Sequence, residues 1–115
     1  MTYRSVSQSW DSEKFLKFLI TKHNISDRVA RNYLSRCRRL EATLNIDLVS
    51  ETSSTDAYIN LTEKIASYAE NYYATAAEVM VCTGTLRLAA KKFAMFAHGS
   101  KVKLPRVYGK INLVK

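Results

Sequence analysis

Glycine, proline and cysteine are scarce in this chain of 115 residues, with three Gly, one Pro and two Cys. Isolated glycines at 84, 99 and 109 cannot build a Gly-rich loop that cradles a phosphate. Cys37 and Cys82 lack the repeating spacing of a disulfide framework or a zinc site, and both fall in apolar helical patterns as core residues do. No apolar run approaches the roughly 18 residues that span a bilayer. The opening Met1-Thr2-Tyr3-Arg4-Ser5-Val6-Ser7 lacks the apolar core of a signal peptide. His23 and His98 have no Cys, Asp or Glu at ligand spacing and read as surface or helix-end residues. Neither a membrane, a metal, a cofactor nor a small-molecule substrate is expected.

What is present is ordinary for a globular chain: 47% hydrophobic and 24% charged residues, too apolar for disorder. The length suits a single domain with one modest core. The expectation is a soluble, intracellular, all-α protein: a small bundle of four to five helices, with a helical core over about 10–99 and a basic extended C-terminal arm over 100–115.

The formal net charge of +8 is unevenly distributed. Residues 1–25 carry +2, residues 26–45 carry +3, residues 46–73 carry −4 and residues 74–115 carry +7. Two basic segments flanking an acidic one predict a charged face, for which a polyanion such as nucleic acid is the commonest partner.

Helix signals follow along the chain. Asp11 or Ser12 caps a first helix carrying Phe15, Leu16, Phe18, Leu19 and Ile20, and Trp10 stands where a hydrophobic staple would pack back on its first turn. Ser26 caps a second helix, in which Val29, Tyr33, Cys37, Leu40 and Leu44 recur at helical spacing, ending near Asn45. Residues 46–55 read as a polar connection. Ser54 or Thr55 then caps a third helix with Tyr58, Leu61, Ile65, Tyr68, Ala69 and Tyr72 on its buried side. Over residues 74–98, Leu86, Ala90, Phe93 and Ala97 form a stripe, and Gly84 predicts either a soft point in one helix or a junction between two. Beyond Gly99 the basic residues interleave with apolar ones as an arm or short strand, which could pair with residues 3–6.

There is no catalytic constellation. Asp47 and Glu51 form only a weak carboxylate pair, and the tyrosines on core stripes read as structural. Two patches could bind nucleic acid. The first is the face of the second helix bearing Arg28, Arg31, Ser35, Arg38 and Arg39, whose forked donors suit phosphates or guanine edges. The second is Arg87, Lys91 and Lys92 with the tail residues Lys101, Lys103 and Arg106. Stacking of bases on exposed aromatics is disfavoured, because the core claims most of the rings.

The stretches Phe15–Leu19, Ile25-Ser26-Asp27-Arg28-Val29-Ala30-Arg31-Asn32-Tyr33-Leu34-Ser35-Arg36 and Thr85–Phe96, with Gly99 and Pro105 after them, resemble the N-terminal core-binding (SAM-like) domain of phage integrases and other tyrosine recombinases. The resemblance covers roughly residues 10–105. It implies a helical bundle that clamps one side of duplex DNA opposite a separate catalytic domain. It also implies that Arg28, Arg31, Asn32 and Ser35 meet DNA from the second helix, and Arg87, Lys91 and Lys92 from the last. The His-x-x-Arg of the recombinase catalytic domain is lacking, so this polypeptide is expected to bind without cutting or joining DNA. A protein–protein adaptor with a basic docking face, or an RNA-binding protein, are the alternatives.

Overall fold

A computed structural model describes residues 10–104, and among them there are five α-helices and no strand. Helix α1 spans Ser12–Lys22, α2 Asp27–Leu44, α3 Leu48–Glu51, α4 Thr55–Tyr72 and α5 Ala76–His98. A single 3-10 turn, Gly99–Lys101, follows α5. The basic arm beyond residue 104, with Arg106, and its pairing with residues 3–6 lie outside the described residues.

Each helix starts where a short polar side chain satisfies the backbone donors that the first turn leaves open. Asp11 accepts from the N–H groups of Glu13 and Lys14, Ser26 from Val29, Asp47 from Val49 and Ser54 from Ala57. At α5, Thr75 and Glu78 cap each other's backbone in a reciprocal capping box. Two connections turn through left-handed residues, Asn24 at φ 54° and Asn45 at φ 56°, a conformation that Asn tolerates better than most residues. Asp27, Asp56 and Glu78 stand in first turns, where the helix dipole favours negative charge.

The longest helix, α5, organises the bundle. It packs against α4 on one side and against α2 on another, with α1 and α3 closing over its C-terminal half. Phe15, Leu19, Ala30, Cys37, Leu40, Leu48, Leu61, Ile65, Leu86, Ala89, Ala90 and Phe93 form one continuous core. Trp10 meets Phe15 and Phe93 edge-on, at centroid distances of 5.8 and 5.0 Å, and so pins the entry of α1 onto α5. Trp10 thus acts as the expected staple. Among the described residues, no helix is long and apolar enough to cross a membrane.

Several local expectations change. The polar connection at 46–55 contains α3, and its Leu48 and Thr52 are fully buried. Thr52 fits inside because its hydroxyl donates to the Leu48 carbonyl at 2.6 Å. The segment 74–98 is one continuous helix through Gly84. Val29 and Tyr72, assigned to core stripes by periodicity, stand exposed near helix ends, where no other helix among the described residues covers them. After Gly99 the chain first makes a 3-10 turn rather than an extended arm.

Candidate nucleic-acid interface

Because Ala30, Tyr33, Leu34, Cys37, Leu40 and Glu41 turn inward, the opposite side of α2 must carry its remaining residues. Arg28, Arg31, Asn32, Ser35, Arg38 and Arg39 are all exposed there, and Arg36 is half-buried beside them. From Arg28 to Arg39 the helix rises about 16 Å, on a cylinder about 10–12 Å across. The sequence-predicted residues of α2 are therefore brought together on one surface.

Their present partners differ in grip. Arg31 forms an exposed ion pair with Asp27 one turn earlier, at 3.0 Å, and such surface pairs contribute little and exchange readily. Arg38 reaches across to α1, where its Nη2 donates to Ser12 Oγ at 2.9 Å. Arg36 lies over the Tyr33 ring at 5.9 Å. Among the described residues Arg28 makes no hydrogen bond or ion pair, and it is exposed to solvent.

Arg39 is the most firmly placed. Its Nη2 donates to the hydroxyl oxygens of Tyr68 and Tyr73, both at 3.2 Å, and its guanidinium lies 5.9 Å from the Tyr68 centroid. The Tyr68 bond and then the Tyr73 bond push the guanidinium further above its ordinary value, against a smaller effect of burial. Tyr72 stacks on Tyr68 at 5.5 Å and meets Tyr73 edge-on at 4.8 Å, completing a cluster at the C-terminal end of α4. Sequence reasoning missed this tyrosine support. Periodicity reads one helix at a time, whereas the contact joins α2 to the end of α4 across about thirty positions. A cluster of three Tyr in six residues beside a helix end was the signal available.

The second predicted patch is only partly at the surface. Arg87 is only 9% exposed, and its Nε and Nη2 donate to the Thr62 carbonyl at 3.2 and 2.9 Å. Burial pulls the Arg87 guanidinium below its usual value, partly offset by Tyr58 and Glu63. Its helical position places it at the α4 interface, so Arg87 is a structural cation and not a surface one. Lys92 is half-buried and donates to His23 Nδ1 at 2.8 Å. Burial lowers Lys92 first, with Lys91 adding to it, and burial and then Lys92 lower His23. Lys91 is also half-buried. His98 Nε2 donates to the Val49 carbonyl at 3.1 Å and lies 3.1 Å from Thr52 Oγ1, tying α5 to α3. Lys101 and Lys103 are exposed, and the Lys103 carbonyl accepts from Thr55 Oγ1 at 3.0 Å.

The negative charge collects elsewhere. Asp56, Glu63 and Glu70 recur every seven residues along exposed positions of α4. Glu51 of α3 pairs with Lys64 of α4 at 3.1 Å, beside an open groove that Asn60, Glu63 and Asn71 also line. Arginines on α2 and carboxylates on α4 give the domain two electrically distinct helix faces. Among the described residues, no group of three or more His, Cys, Asp or Glu is placed to hold a metal ion.

No family model matches this chain, and no curated protein or solved structure is significantly similar to it.

Proposed function

We propose that this domain is a non-catalytic duplex DNA-binding module that grips the phosphate backbone with the outward face of α2, in the manner expected of a tyrosine-recombinase core-binding domain. One observation carries this function: Arg28, Arg31, Arg38 and Arg39 share an exposed helix face with Asn32 and Ser35 between them. A helix of that diameter fits a major groove about 12 Å wide, and its flanking arginines then reach phosphates on either side. Arg39 is pre-positioned by Tyr68 and Tyr73, which leaves its Nε and Nη1 donors clear of those bonds and lowers the ordering cost of a phosphate contact. Lys103 sits at the start of α4, the end opposite the tyrosines that hold Arg39, and Arg87 takes no part. Phosphate contacts of this kind supply affinity and orientation without choosing a sequence.

Fluorescence anisotropy with a labelled duplex at two salt concentrations tests the function. Binding should weaken with salt by about 0.9 log unit per log unit for each phosphate neutralised. The combined Arg28→Ala, Arg31→Ala and Arg39→Ala variant should bind more weakly with a flatter slope. Unchanged affinity and slope would remove α2 from the interface, and tighter binding to matched single strands or RNA would point to a different nucleic acid.

A further inference from the structure

We propose that the outward face of α5 is a homodimer surface, on which two copies of this chain pair antiparallel about a two-fold axis near Gly84 and Thr85. The starting observation is an uncovered apolar face on the helix that otherwise anchors the core. Met80, Val81 and Leu88 are 56%, 66% and 43% exposed. With Ala77 and Gly84 they form one stripe at spacings of three and four residues, rather than the scattered single apolar residues of an ordinary surface. Thr85 adds no unmet polar demand, because its hydroxyl donates to the Cys82 carbonyl at 3.1 Å.

Three features select a second copy as the occupant. The first is shape. A Cβ built on Gly84 would meet nothing within 4 Å, so the middle of the stripe is a notch where another helix backbone can approach closely. The second is symmetry. Val81 and Leu88 lie nearly equal distances on either side of the Gly84–Thr85 step, so in an antiparallel pair Val81 of one copy faces Leu88 of the other, twice over.

The third is charge. Glu78 lies two turns before Thr85 and Lys92 two turns after it, and about four turns bring both to the same flank of the helix. Antiparallel pairing sets Glu78 of each copy against Lys92 of the other. Parallel pairing would leave Glu78 of one copy about 21 Å along the axis from Lys92 of the other, which disfavours it. Glu78 uses one oxygen, Oε1, in the capping box, and the Lys92 ammonium keeps donors beyond the one on His23. The arginine face of α2 lies on a different helix and stays open in such a dimer.

A contact made by one helix from each copy falls at the small end of specific interfaces, so dissociation in the micromolar range is expected. Sedimentation equilibrium of the full chain, from about 1 to about 500 μM, should show the mass rising from 13.1 kDa toward twice that value. Val81→Lys should weaken association at least tenfold while circular dichroism shows an intact fold, since Val81 is 66% exposed. Lys92→Glu should weaken it too, and Glu78→Lys combined with Lys92→Glu should restore it. A monomer at every concentration overturns the proposal. So does a dimer indifferent to Val81→Lys, or a charge swap that fails to rescue Lys92→Glu.

Discussion

Trp10 donates its indole N–H to Glu41 Oε2 at 3.0 Å, although the two residues are 31 positions apart. The same oxygen accepts the backbone N–H of Leu48 at 2.9 Å. One carboxylate therefore joins the residue that staples α1 to the first turn of α3. Burial pushes the Glu41 carboxyl above its ordinary value, and the bonds from Leu48 and Trp10 pull it only partly back.

Glu41 gives the domain a pH dependence of definite sign. The unfolded carboxyl titrates near 4.5, and the folded one above that. Between the two values the folded chain holds a proton that the unfolded chain has lost, so stability falls as pH rises through this window. Urea unfolding of Glu41→Gln, which keeps an acceptor without a charge, should lack that decline. Glu41→Ala should cost about 1–3 kcal/mol, because the buried Leu48 N–H and the half-buried Trp10 indole lose this acceptor.

Arg87 and Arg28 should separate stability from binding. Arg87→Met keeps the aliphatic stem but leaves the Thr62 carbonyl without its charged donor, and should cost about 1–3 kcal/mol of stability. Its duplex affinity, measured on folded protein, should be unchanged. Arg28→Ala should leave stability within about 0.5 kcal/mol and weaken duplex binding. Denaturant midpoints and anisotropy titrations on the same two proteins check both halves.

The two described glycines should respond oppositely to alanine. Gly84 lies within α5 with open space where a Cβ would be, so Gly84→Ala should stabilise the monomer by about 0.5–1 kcal/mol. Gly99 ends α5 at φ 63° and ψ −134°, a conformation that side chains resist, so Gly99→Ala should destabilise by about 1–3 kcal/mol. Thermal unfolding in dilute solution measures each without a contribution from self-association.

Neither cysteine should react in the folded protein. The Cys37 thiol donates to the Ala89 carbonyl at 3.6 Å, and burial, with a smaller contribution from Glu41, pushes it above the usual thiol range. Cys82 is buried as well. A disulfide reagent at neutral pH should modify both only as fast as the chain opens, and both at once in denaturant.

Much of the fold was legible because its signals are local. Ser26, Ser54, Asp11 and Asn45 act within one turn of themselves, and the apolar stripes of α2 and α5 repeat with the helix period. The short helix α3 was not legible, because its burial depends on Glu41 and His98 arriving from elsewhere in the chain. Tyr72 misled for the complementary reason: it continues the α4 period past the point where a neighbour covers it.

By itself, the sequence determined where the long helices α1, α2 and α4 begin, most of the faces that turn inward, and that its positive and negative charges lie in different segments. Those properties depend on the backbone and on neighbours within a few residues. Tertiary structure alone decided what the charged side chains do. It buried Arg87 on the Thr62 carbonyl, braced Arg39 between Tyr68 and Tyr73, and left Val81 and Leu88 uncovered. Helical period specifies an angle around one axis, whereas exposure depends on which other helix occupies that angle. Only the packed bundle supplies that second fact.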